Sequence, residues 1–110
     1  VTSEAAALFD AMGDPTRRAM VSLMARGPAS VSALADPLGI TVTAVGQHLR
    51  VLEQAGLACS EKRGRTRYCR IRPEGLDSIE AWTRQVRREW EARLERLGDM
   101  LDEMGPQAGR

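Results

Sequence analysis

The sequence predicts a mainly α-helical domain that carries one small β-hairpin and ends in a long helix. Three observations carry that expectation. Helix-start signals stand at Asp14-Pro15, Ser30 and Thr41, each followed by apolar residues three and four apart. Two short extended runs flank Arg63-Gly64-Arg65. From Ile79 to Met104 apolar residues recur with a period of about 3.5–3.6. A chain of 110 residues is expected to form one domain, 1–110, with a modest core.

Residues 3–12 (SEAAALFDAM) read as a first helix with Ala6, Leu8, Phe9 and Met12 as its apolar members, stopped by Gly13. Asp14 then caps a second helix and Pro15 takes its first position, where a missing N–H costs nothing. That helix runs to about Arg26, burying Met20, Val21, Leu23 and Met24, before Gly27-Pro28 ends it. Ser30 caps a short third helix with Val31, Leu34, Ala35 and Leu38 inward, whose last turn Pro37 should make irregular. Gly39-Ile40 turns into the stretch from Thr41 to Gly56. There Thr41 is the N-cap, Gly56 the left-handed stop, and Val45, Leu49 and Leu52 the buried stripe.

The other face of that fourth helix carries Thr43, Gln47 and Arg50, polar or basic groups with very little negative charge. Two short helices joined by a glycine-containing turn, the second with such a face, make a helix-turn-helix over 30–56. The extended runs Leu57–Lys62 and Thr66–Ile71 then form a hairpin, 57–72, with a three-residue loop. Pairing Lys62 with Thr66 sets Leu57 opposite Ile71 and Cys59 opposite Cys69, and brings Arg67 against Glu61 near the tip. In that register the two cysteines are a candidate redox pair, with plain packing at the hairpin base as the simpler alternative. Pro73 opens the last helix, 74–104, whose stripe is Ile79, Trp82, Val86, Trp90, Leu94, Leu97, Leu101 and Met104. So small a core cannot cover that stripe, so a second copy is expected to. Helices 3–12 and 74–104 are then the dimerisation elements, and GPQAGR is expected to fray.

Net charge is only +1, so a polyanionic partner must be argued from where the charges sit. Lys62, Arg63, Arg65, Arg67, Arg70 and Arg72 cluster in the hairpin, opposed there only by Glu61. A basic tip beside an acid-poor helix points to double-stranded DNA. With no long apolar run or leader pattern, the expectation is a cytoplasmic protein without a membrane partner. One histidine and two cysteines are too few for a disulfide framework or a Cys/His metal site. No nucleophile–base pairing, phosphate loop or paired carboxylates supports catalysis, so no enzyme and no cofactor are expected. The alternative class is a winged helix used for protein–protein contact without DNA.

LFDAMGDPTRRAMVSLM (8–24), VSALADPLGI (31–40), TAVGQHLRVLEQAGL (43–57) and EKRGRTRYCRI (61–71) together resemble the ArsR/SmtB family of winged helix-turn-helix repressors. AWTRQVRREWEARLERLGDML (81–101) looks like its metal-free branch, where a Trp-x7-Trp helix follows the wing. The resemblance implies a dimeric transcriptional repressor. It matches Thr41, Thr43, Gln47 and Arg50 to major-groove positions and Lys62, Arg63, Arg65 and Arg67 to a wing on the minor groove or phosphates. Phe9, Trp82, Val86, Trp90, Leu94, Leu97 and Leu101 are the expected dimer contacts. His48 matches a family histidine, read here as structural rather than base-reading. The third helix lacks the Cys-x-Cys of metal-sensing relatives and the last helix lacks histidine, so no metal ligand is expected. Gly46 stands where the family usually has Ser, and Val42 where it has a polar residue. Gly46 lets backbone approach DNA closely, and Val42 suits a thymine methyl.

Overall fold

In the computed structural model, residues 1–105 are described, so most of the expected tail, GPQAGR, lies outside the described residues. The element order is α1 (Ser3–Met12), α2 (Pro15–Met24), β1 (Ala29–Ser30), α3 (Val31–Leu38), α4 (Val42–Gln54), β2 (Ala58–Arg63), β3 (Thr66–Ile71), a 3₁₀ turn (Pro73–Leu76) and α5 (Asp77–Met104). The residues from Val1 to Ile79 form one compact unit and those from Glu80 onward a second.

Each early helix begins at a side-chain cap. Thr2, Asp14, Ser30 and Thr41 accept from the backbone N–H groups of Ala5, Arg17, Ala33 and Ala44 at 3.0–3.1 Å. Each cap pairs one N–H that the first helical turn would otherwise leave without a partner. α3 remains helical to Leu38 despite Pro37, and its final turn closes on the left-handed Gly39, whose N–H reaches the carbonyls of both Ala35 and Asp36. The hydrophobic core joins Leu8 and Ala11 of α1, Met20 and Met24 of α2, Leu34 of α3, and Val45, Leu49 and Leu52 of α4 with Leu57, Ala58 and Cys69. Of the apolar members of α1, Leu8 enters the core and Met12 packs against it. Ala5, Leu8 and Ala11 are buried, whereas Ala6 and Phe9 are exposed.

The sheet has three strands in the order β1-β3-β2, all antiparallel. β1 went unforeseen: two residues, Ala29 and Ser30, pair with Cys69 and Tyr68. The hairpin register also differs by one residue from the expected one. Arg63 pairs with Thr66, Lys62 with Arg67, Glu61 with Tyr68, Ser60 with Cys69 and Cys59 with Arg70. The loop is therefore two residues, Gly64-Arg65, and Gly64 takes a φ of 64° while Arg65 stays at negative φ. Positive φ at the first loop residue alone suits a type II′ turn, which glycine permits without strain. A one-residue slip exchanges the two faces of a strand. Cys59 and Cys69 consequently point to opposite faces, and the redox pair falls with the register that suggested it. Cys69 is fully buried. Burial raises its thiol above the ordinary value, Glu53 adds to the rise and Arg67 opposes it.

The last helix starts later than expected, at Asp77, because Pro73–Leu76 forms a 3₁₀ turn. That turn lies against the end of α4. Arg72 N–H donates to the Leu57 carbonyl at 2.8 Å. A Cβ added at Gly75 would collide with the Gly56 carbonyl oxygen and stand 2.8 Å from its carbon. Backbone atoms cannot rotate away, so Gly75→Ala should cost about 1–3 kcal/mol, as overpacking does. Urea unfolding checks this: the midpoint should fall with the slope unchanged, and an unshifted midpoint would contradict the contact.

Candidate nucleic-acid interface

α4 separates its residues cleanly by face. Val45, Leu49 and Leu52 are fully buried, and Thr43, Gln47 and Arg50 are exposed on the other side with Val42 and the cap Thr41. Gly46 lies between the two faces, with no atom within 4 Å of where its Cβ would stand. The expected recognition residues therefore share one accessible surface, and their helix is held by its apolar back. An α-helix presenting such a face fits the width of a major groove.

The basic residues of the wing divide by what their side chains meet. Lys62, Arg63 and Arg65 are all exposed at the tip. Arg63 Nε lies 3.6 Å from Glu61 Oε1, with both side chains largely in solvent, so the pair is weak and leaves Arg63 available. Arg67, expected to act with them, shares a strand face with Lys62 but is engaged by neighbouring side chains. Its Nη1 donates to Ser60 Oγ at 2.9 Å, and that hydroxyl donates to Glu53 Oε1 on α4 at 3.3 Å.

His48 sits behind α4, as a structural residue would. Its Nδ1 is 3.5 Å from Arg17 Nη1 and 3.9 Å from Asp14 Oδ2. The Asp14 carboxyl is held below its ordinary value, first by the Arg17 backbone N–H and further by the charges of Arg17 and His48, against desolvation. Sequence reasoning took Asp14-Pro15 as a helix start and missed the role of the two arginines beyond it. Arg17 Nε donates to the Ala11 carbonyl at 2.5 Å, and Arg18 Nη1 to the Met12 carbonyl at 2.8 Å. Both guanidinium groups thus satisfy carbonyls at the C-terminus of α1 and meet the negative end of its dipole. The signal was the adjacent Arg pair just after the cap. Together with His48 it joins α1, α2 and the back of α4.

α5 considered by itself contains no buried residue. Val86, Trp90, Leu94, Leu97, Leu101 and Met104 are each between 44% and 62% exposed, as is Met100, which the periodicity had not included. On α1, Phe9 is 38% exposed. Trp82 is half-buried. Glu80 and Arg84 form an i,i+4 pair at 3.9 Å, and Glu89 accepts from Gln85. Among the described residues, no group of three or more His, Cys, Asp or Glu is placed to hold a metal ion. No helix among them is long and apolar enough to cross a membrane.

A helix-turn-helix followed by a basic hairpin on a three-stranded sheet defines the winged helix-turn-helix class of DNA-binding domain. A family model described as a helix-turn-helix domain matches residues 12–58. The chain is 39% identical over 83 residues to the HTH-type transcriptional regulator Rv2034 of Mycobacterium tuberculosis, covering 71% of this chain and 78% of that one. It superposes on the crystal structure of the ArsR family transcriptional regulator RHA00566 with a TM-score of 0.74 and 38% identity, covering 80% of this chain and 91% of the other. The solution structure of the homodimeric winged helix-turn-helix DNA-binding domain Mb0332 from Mycobacterium bovis matches at a TM-score of 0.63 and 27% identity, over 78% of this chain and 80% of that one. The chain belongs to the ArsR/SmtB-type family of winged helix-turn-helix transcriptional regulators. It is accordingly a DNA-binding transcriptional regulator.

Proposed function

We propose that the protein is a homodimeric repressor that acts in the cytoplasm, without catalysis or bound metal, at a near-palindromic operator. Each protomer sets Thr41, Val42, Thr43, Gly46, Gln47 and Arg50 towards the major groove and lays Lys62, Arg63 and Arg65 along phosphates. The observation that carries this reading is the exposed, carboxylate-free surface of Thr43, Gln47 and Arg50 on a helix whose back is fully buried. Self-association is supported by the exposed apolar stripe of α5, Trp90 to Leu101 above all, and by the homodimeric state of the Mycobacterium bovis neighbour. The Trp82 and Trp90 spacing supports the metal-free branch. A two-fold dimer requires half-sites about one helical turn, ~34–36 Å, or a multiple apart.

Selection of bound duplexes from a random pool tests the reading, and a palindrome with that spacing is the expected result. Gln47→Ala should then alter base preference within each half-site, at a cost of about 1–3 kcal/mol for a good base contact. Folded protein that binds no duplex, or binds with no dependence on salt, would instead favour the protein–protein module.

A further inference from the structure

The polar chain from Arg67 through Ser60 to Glu53 is unusual for the surface it occupies. Glu53 stands in the last turns of α4, on the helix that faces the polyanion, where a carboxylate should cost affinity. Arg67 lies within the basic hairpin, yet directs its guanidinium to Ser60 at 2.9 Å. Ser60 uses its hydroxyl both ways, accepting from Arg67 and donating to Glu53 at 3.3 Å. These three side chains line the cleft between α4 and the wing, together with Gly46, Leu49 and Arg50. The observed register makes the chain possible, because Ser60 pairs with Cys69 and Lys62 with Arg67 on one face of the hairpin. In the register expected from sequence, Ser60 and Arg67 would have faced opposite sides.

We propose that Glu53, Ser60 and Arg67 are positioning residues that tether the wing to the recognition helix and fix the angle between them. Arg67 is then a strut, and the phosphate contacts fall to Lys62, Arg63 and Arg65. This rests on the DNA-binding reading, and it predicts that a carboxylate on the DNA-binding side aids binding. A hydrogen bond on the surface contributes little to global stability. Its effect should therefore appear in wing order and DNA affinity rather than in the melting temperature.

The experiment compares full-length Glu53→Ala, Glu53→Gln, Ser60→Ala and Arg67→Ala with the parent. Binding is measured to the selected duplex over a range of salt, and hairpin amide exchange in the free protein. Glu53→Ala and Ser60→Ala should each weaken binding by about three- to tenfold, the size of one lost hydrogen bond, without changing the salt slope. Combining them should be no worse than either alone. Glu53→Gln keeps an acceptor for Ser60 and should bind at least as tightly as the parent. Amides between Ala58 and Ile71 should exchange faster in both alanine variants. Tighter binding by Glu53→Ala would show that Glu53 only repels DNA and would overturn the tether. A salt slope that falls by about 0.9 per phosphate in Arg67→Ala would make Arg67 a phosphate contact and overturn it likewise. Unchanged amide exchange overturns it whatever the DNA result. Should the parent bind no duplex, the DNA-binding reading fails, and amide exchange alone still decides the tether.

Discussion

Leu97→Glu combined with Leu101→Glu is expected to convert a dimer into monomers and to abolish operator binding. Both leucines are 52% exposed on α5, so the fold of a single chain does not depend on burying them. Glutamate also suits a helix interior nearly as well as leucine does. Helical content should therefore survive, which separates loss of assembly from loss of folding. Across a two-fold interface the substitutions bring together four carboxylates, which must either stay charged in an apolar seam or take up protons. Neither is cheap. Once the protomers separate, the second half-site is no longer bound at a high effective concentration, and the affinity gained by linkage disappears. Sedimentation of parent and variant at micromolar concentration is the direct check. A parent that sediments as a monomer refutes the dimer outright, and a variant that still sediments as a dimer places the interface elsewhere.

The second large effect belongs to the wing. Replacing Lys62, Arg63 and Arg65 together by alanine should weaken binding to every duplex by a common factor and leave base preference intact. Each neutralised phosphate contributes about 0.9 to the slope of log affinity against log salt. Three contacts in each of two wings therefore predict that the slope falls by roughly 5. Gly64 remains in place, so the turn that shapes the tip is unaltered. Binding measured over a series of salt concentrations reads this directly. A change in sequence preference without a change in slope would mean that the tip reads bases and does not hold phosphates.

The parts of this fold legible in the sequence are those set by local chemistry. Asp14, Ser30 and Thr41 announce helix starts because a short polar side chain can reach an N–H three residues on, and all three do so. Val45, Leu49 and Leu52 are legible because one helical period decides which side is buried. The parts that were not legible depend on distant partners. β1 is two residues with no periodicity, and it is a strand only because β3 lies beside it. Arg63-Gly64-Arg65 reads as a three-residue loop, whereas the strands continue one pair further and leave a two-residue Gly64-Arg65 turn, a choice set by pairing across the strands. That single residue of register then moved Cys59 away from Cys69 and Arg67 onto Ser60. The candidate recognition face was thus readable residue by residue, whereas the roles within the wing were not.

The meeting of Gly75 with Gly56 has a consequence for how such regulators diversify. Both ends of the hairpin are anchored by backbone: Arg72 N–H on the Leu57 carbonyl, and Gly75 against the residue that ends α4. Neither anchor involves a side chain of the tip. The segment from Glu61 to Thr66 is therefore an exchangeable cassette, free to change length and charge provided that Ser60 and Arg67 remain on one face. On the DNA-binding reading proposed above, divergent proteins built on this frame would retune their hold on the DNA backbone there while α4 stays as it is.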